Sequence, residues 1–254
     1  MSRSRRTLRL FAPQIMLTVL VLPFTLSLMA MVKVSLSGEG WQNYAAVLRL
    51  PEFPRAFLNS VLLALAVVVV TYVTTMLAAY GFARLKLPMG EFFFYAILAT
   101  MTLPGAALMV PLFIVVQNAG LLDSLWAVII PLVALVLPLN VLLARNFVAG
   151  LPREVFEAAT IDGCGTLRIF RYIVLPLSRP ISAVVVVWSF LSAWNEYLLP
   201  LLFLQSGDKQ TITLMPQYFT SRFGSDQTKI IACTVLIAAP TILVERGMIA
   251  GAGR

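Results

Sequence analysis

Between Arg9 and Lys33 the chain runs for 23 residues, Leu10 to Val32, without a charged side chain. An α-helix needs roughly 20 residues to cross about 30 Å of hydrocarbon, so this run is long enough to span a bilayer. Five further apolar stretches follow. They lie between Arg55 and Arg84, from Phe92 to Leu122, from Ser124 to Ala144, from Ile181 to Leu204 with Glu196 inside, and from Ile230 to Val244. Lipid offers the main chain no water, so a spanning segment is either a helix or a strand of a closed barrel. Barrel strands alternate in polarity over segments of about 10 residues. These runs are continuous, which predicts an all-α polytopic membrane protein. The six spans are expected at 10–32, 58–82, 92–117, 124–146, 181–204 and 230–246, in one transmembrane domain covering 1–254.

Composition agrees. Hydrophobic residues make up 60% of the chain and charged residues 12%, about half the share usual in soluble proteins. Too little polar surface remains to cover a water-soluble body. The first run follows a basic leader of Arg3, Arg5, Arg6 and Arg9. A secretory signal core is about 7–15 residues, so the longer run reads as an uncleaved first span. The net charge of +8 comes from residues between apolar runs, which points to membrane topology rather than nucleic acid. With the N-terminus in the cytoplasm, 13 basic residues fall inside and 6 outside. That bias predicts both termini in the cytoplasm. There is no His, which removes the commonest metal ligand and general base. Cys164 and Cys233 lie far apart in the sequence, so neither a disulfide, a metal site nor a cofactor is expected.

The inner loop 150–180 carries the most information. Pro152 suits the first turn of a helix. Glu154 and Glu157 would meet the positive end of its dipole, and Arg153 and Glu157 are spaced to pair. Gly163, after Asp162, can take the left-handed conformation that ends a helix. The segment therefore predicts a helix of about ten residues, with Val155, Ala158 and Ala159 as a small apolar face. A second amphipathic piece starts at Thr166, with Leu167, Phe170 and Val174 on one side and Arg168 and Arg171 on another. Pro176 and Pro180 then turn the chain into span five. So short a helix is marginal alone. Taken by itself, the pattern fits either an interfacial surface loop or a helix that docks on a cytoplasmic partner.

Glu157-Ala158-Ala159, followed by Asp162-Gly163 and Leu175-Pro176, resembles the EAA loop of ABC importer permeases. The resemblance extends over roughly Asn43 to Pro240. It includes Asn59-Ser60, the run Ala79-Tyr80-Gly81-Phe82-Ala83-Arg84, Pro104 and Pro111, and Trp194-Asn195-Glu196. Within that family the chain is similar to the carbohydrate-type permeases related to the smaller membrane subunit of the maltose importer. The resemblance implies the type I importer permease fold, with a cytoplasmic coupling helix that sits on an ATPase. Its coupling residues would be Glu154, Glu157, Ala158, Ala159, Asp162 and Gly163. It also implies a separate ATPase, a second and different permease subunit, an extracytoplasmic solute-binding protein, a sugar-like solute, and residence in the bacterial inner membrane. The stretch from Pro240 to Gly247 is shorter than the family pattern, which leaves the inner end of span six open.

Glu196 lies inside the fifth apolar stretch, where a charge costs on the order of 2.5–3.5 kcal/mol. Trp194, Asn195 and Glu196 would either line the solute path or make a structural hydrogen bond at an interface. Pro104, Pro111, Pro131 and Pro138 would kink spans three and four. The chain has no Gly-x-x-x-x-Gly-Lys-Ser/Thr phosphate loop, so an ATP-driven importer would draw its energy from another subunit; the chain itself is not expected to be an enzyme. The alternative is an ion-coupled secondary transporter, which calls for matching interrupted helices in two halves. No such matching interruption is visible in the sequence.

Overall fold

The computed structural model describes residues 3–221 and 224–252, with side chains from 13 to 220 and 225 to 244. The helices, in order, are α1 (Arg3–Ser35), α2 (Trp41–Leu48), α3 (Phe53–Arg84), α4 (Gly90–Ala99), α5 (Met109–Asn118), α6 (Leu125–Ala149), α7 (Arg153–Ile161), α8 (Thr166–Ile169), α9 (Leu175–Leu177), α10 (Arg179–Trp194), α11 (Leu198–Phe203) and α12 (Gln227–Ala252). A two-residue antiparallel ladder pairs β1 (Thr220–Ser221) with β2 (Gly224–Ser225). Four helical stretches are long and apolar enough to cross a membrane, at Pro13–Ser35, Phe53–Arg84, Leu125–Ala149 and Gln227–Val244. Two bent pairs bring the total to as many as six. The stretch after Pro240, short by the family pattern, remains helical to Ala252.

Three breaks in the helices lie beside prolines. Span three, expected as one kinked helix over 92–117, turns by 97° between Gly90–Thr102 and Gly105–Asn118. Pro104 has no N–H and disfavours helical backbone at the residue before it; Leu103 is accordingly extended, at φ −82° and ψ 122°. Span five, expected over 181–204, ends as a helix at Trp194 and resumes at Leu198. Pro200 removes the bond that the Glu196 carbonyl would have received four residues back. The Thr213 hydroxyl donates to that carbonyl instead, at 2.8 Å. A third turn, of 80°, separates Thr166–Leu177 from Arg179–Trp194, between Pro176 and Pro180. Pro131 and Pro138, in contrast, leave α6 continuous over its 25 residues.

Contacts divide the chain into two units, each described by itself: Met1–Phe53 with Met215–Ala239, and Pro54–Leu214 with Pro240–Arg254. In the first, Asn43 is fully buried. Its Nδ2 donates to the carbonyls of Ser35 and Ser37, each at 2.9 Å, closing the turn from α1 into α2. The carboxylate of Asp226 accepts the Thr228 hydroxyl at 2.6 Å and pairs with Lys229 at 2.9 Å. Those two partners hold its pKa down at about 2.

In the second unit, α3, α6 and α10 pack together. Tyr72 meets Ser182 at 3.3 Å and Asn140 donates to Ser189 at 3.4 Å, tying α3 and α6 to α10. At one end, Asn59 Nδ2 donates to the carbonyls of Asp208 and Gln210, and Ser60 Oγ accepts the N–H of Ile212. Asp123 closes the short link from α5 to α6 there, in the left-handed region at φ 58°. Its carboxylate accepts the N–H groups of Gln205 and Ser206, at 3.0 and 2.9 Å, and the Ser206 hydroxyl.

The Ser206 hydroxyl, then its N–H, holds the Asp123 carboxyl below the ordinary Asp value of 3.8. A depressed folded value means that the stabilisation is complete above the unfolded pKa and is lost as pH falls through the folded one. Asp123→Ala is expected to lower the thermal midpoint of the detergent-solubilised protein at pH 7 by several degrees. Each lost kcal/mol is worth about 2–4 °C at this size. The gap to the unchanged protein should narrow as pH is taken below 3.8, a comparison that thermal unfolding at pH 7 and pH 3 makes directly.

Candidate functional site

The loop between α6 and α10 is built into the protein rather than laid on it. Its helix, α7, has nine residues. Pro152 stands just before it, at φ −57° and ψ 132°, one place earlier than the first turn. At the other end Gly163 takes φ +72°. The Cys164 N–H donates to the Ala159 carbonyl at 2.9 Å, and the Gly163 N–H to the Thr160 carbonyl at 3.0 Å. Those two bonds make a Schellman closure, which needs a left-handed residue where Gly163 sits.

One side of α7 is locked. Ala159 is buried, with 6% of its surface exposed, and joins Met76, Ala79, Tyr80, Ala144, Val148, Ile169, Val174, Ile181 and Val185 in a single core. Ala159 therefore packs inward in a core shared with residues of α3 and α6, which steadies this short helix from one side. The other side is open: Glu154, Glu157, Ala158, Asp162 and Gly163 are all exposed. Beside them Ile161 is 86% exposed and Leu167 75%. Sequence periodicity missed Ile161, and it put Leu167 on a face with Phe170 and Val174. Val174 is instead fully buried. The reason is the π-helical stretch Phe170–Val174, whose wider turn shifts the facing of residues on either side. Arg153 and Glu157 are not among the ion pairs of the described residues.

Trp194, Asn195 and Glu196 sit at the break between α10 and α11. Trp194 is 2% exposed, stacked on Phe190 at 5.7 Å and edge-on to Phe57 at 5.8 Å. Glu196 Oε1 accepts the N–H of Leu199 at 3.0 Å, satisfying a first-turn donor of α11. Asn195 is exposed, and its Nδ2 donates to the Leu191 carbonyl at 2.9 Å. The tryptophan and the carboxylate thus serve the break itself.

A cavity of about 560 Å³ opens against the bend in span three, lined by Thr100, Leu103, Gly105, Pro131, Trp188 and Ser192 among others. Thr100 to Ala107 are exposed. Among the described residues, the backbone bonds bracketing Pro104 run from Leu103 N–H to the Thr100 carbonyl and from Ala107 N–H to the Pro104 carbonyl. Non-helical main chain at membrane depth is tolerated where protein covers it or water reaches it, not where lipid does. Sequence reasoning named Pro104 as a kink but gave no sign that Trp188 and Ser192 would face it.

Apolar helices long enough to cross a membrane, one of them bent at a proline beside a cavity, define a polytopic membrane protein. Residues 71–248 match the model of the binding-protein-dependent transport system inner membrane component, and the chain belongs to that family. It is 34% identical over 206 residues to a diacetylchitobiose uptake system permease protein of Streptomyces coelicolor, covering 80% of this chain and 68% of the relative. It is also 34% identical over 212 residues to a lactose transport system permease protein of Rhizobium radiobacter, covering 84% and 77%. Among solved structures, a bacterial ABC transporter involved in the import of the acidic polysaccharide alginate superposes with a TM-score of 0.83, at 21% identity and 98% coverage of both chains. The family assignment removes the ion-coupled transporter. Interrupted helices do occur here, so their absence is not what excludes it.

Gly163 has no heavy atom within 4 Å of where a Cβ would stand. The cost of a side chain there is conformational, roughly 1–2 kcal/mol for a left-handed non-glycine residue. Gly163→Val is expected to speed hydrogen exchange at the Gly163 and Cys164 amides more than Gly163→Asn, because Asn tolerates this conformation. Mass-spectrometric exchange over 153–170 checks the order.

Proposed function

We propose that this chain is the permease subunit of an ATP-driven importer for a sugar or sugar-like solute, forming half of the translocation path. The observation that carries the reading is the two-sided α7: Ala159 is locked in the core, while Glu154, Glu157, Ala158, Asp162, Gly163 and Ile161 face outward. A helix held on one side and open on the other passes a push on its open side into the spans. ATP is hydrolysed in a separate subunit docked on that open side; the apolar Ile161 and Leu167 suit a covered protein surface. Both termini and α7 then lie in the cytoplasm, in keeping with the 13-to-6 distribution of basic residues. A second, different permease completes the path, and a solute-binding protein delivers cargo from outside. The sugar class is supported by the relatives named for diacetylchitobiose and lactose.

The solute passes the bend at Leu103-Pro104. Water in the path satisfies the exposed main chain there, and the 48%-exposed ring of Trp188 offers a flat face to a sugar. Of the trio at the α10 break, Asn195 belongs to the path, and Trp194 and Glu196 hold it in place.

Glu157→Lys is expected to abolish co-elution of the ATPase, or to leave hydrolysis running without uptake; a complex with normal uptake and stimulated hydrolysis would exclude docking at α7. Trp188→Ala and Asn195→Ala are expected to raise the half-saturating solute concentration by about tenfold, the equivalent of about 1.4 kcal/mol, and to keep the ATPase bound. Uptake into proteoliposomes with unchanged affinity would remove both residues from the path.

A further inference from the structure

The run Ala79-Tyr80-Gly81-Phe82-Ala83-Arg84 closes α3, and nothing in the function above uses it. Arg84 reaches across to the end of α6 and the chain beyond it. Its Nε and Nη2 donate to the Val148 carbonyl at 3.2 and 2.9 Å, and Nη2 also donates to the carbonyls of Ala149, at 3.3 Å, and Leu151, at 2.5 Å. The same guanidinium lies over the ring of Phe156, in α7, at 4.3 Å. One turn earlier on the same face of α3, the Tyr80 hydroxyl donates to the Thr166 carbonyl at 3.4 Å. Its ring packs on Phe170 at 5.6 Å. Arg84 thus holds the entrance to α7 and Tyr80 the segment that leaves it.

We infer that Tyr80 and Arg84 are positioning residues that fasten to α3 the chain entering α7 and the segment following it, so that α7 and the end of α3 move as one body. The inference rests on α7 being the docking helix. The carbonyls of Val148 and Ala149 lie in the last turn of α6 and that of Leu151 just beyond it, where intrahelical donors run out. A planar guanidinium with several N–H groups serves three of them at once and still presents a face to an aromatic ring. A lysine ammonium is a point charge on a flexible stem and does not reproduce that fork. Loss of the fork frees the hinge 149–152, and a push on α7 is then absorbed there instead of reaching the spans.

The test uses the whole complex in proteoliposomes with its ATPase, sister permease and solute-binding protein. Three quantities are read: complex yield, hydrogen exchange over 153–161, and solute taken up per ATP hydrolysed. In Arg84→Ala and Arg84→Lys, α7 exchange is expected to rise about tenfold, close to the loss of one charged hydrogen-bond set. Uptake per ATP is expected to fall about fivefold or more, the lower end of ordinary coupling between sites. Rescue by lysine, or a lower yield with an unchanged ratio and unchanged exchange, overturns the inference. Should the Arg84 variants fail to assemble, Phe156→Leu removes only the ring face; normal exchange and a normal ratio in that variant also overturn it. Glu157→Lys, run alongside, separates the two readings. If Glu157→Lys leaves uptake coupled, docking at α7 fails; if it uncouples while Arg84→Ala does not, the fastening fails.

Discussion

A main-chain N–H or C=O that leaves a helix inside a membrane finds no water in lipid, and everything irregular in this chain answers to that shortage. At several of these ends and breaks a polar side chain takes over from the helix. Asp123 collects the N–H groups of Gln205 and Ser206. Asn59 covers two carbonyls after α11, and Ser60 the N–H of Ile212. Glu196 supplies an acceptor to α11, Thr213 a donor to the carbonyl that Pro200 orphans. Arg84 serves the last carbonyls of α6. A side chain that bonds main chain from a distant stretch also fixes the distance between the two. The polar groups that let the helices stop are therefore the ones that set how the stretches stand to each other.

The same logic separates a seam from a path. At the α10 break the Glu196 carbonyl and the Leu199 N–H both have side-chain partners, and Trp194 seals the site from within. At Leu103-Pro104 the main chain is exposed beside a cavity. One break is finished by the protein; the other is left for something else to complete. An importer needs both kinds, because a path must be wettable while the frame around it stays dry and stiff.

Much of this was legible in the sequence. Uncharged runs marked the long apolar helices, since a charge in hydrocarbon is costly whatever the tertiary structure. Pro152 and Gly163 bracketed α7, since both act through their own backbone. The partners of Asn59, Tyr80, Arg84 and Glu196 were hidden for a different reason. Asn59 meets residues near 209 and Arg84 residues near 149, pairings that no local period encodes. The π-helical turn at Phe170–Val174 defeated the period itself and moved Leu167 off the face assigned to it. The bend in span three is sharper than a kink: Pro104 with Gly105 behind it turns the chain by 97°, where neither Pro131 nor Pro138 interrupts α6.

The first helix follows none of these rules. From Pro13 to Ala30 every residue is exposed, and Leu17, Val19, Phe24 and Met29 all stand more than half exposed. Along that stretch the hydroxyls of Thr18, Thr25 and Ser27 bond to the helix's own carbonyls, and the surface is oily on every side. Such a helix can partition into lipid as an autonomous rod before any tertiary contact exists, in the manner of a two-stage assembly. Exchanging one aliphatic residue for another there swaps one lipid-compatible surface for another and leaves the folded interior untouched. What the rod must preserve is its length and its oiliness; its interlocking with neighbours is decided later, by whatever chain or lipid comes to lie beside it.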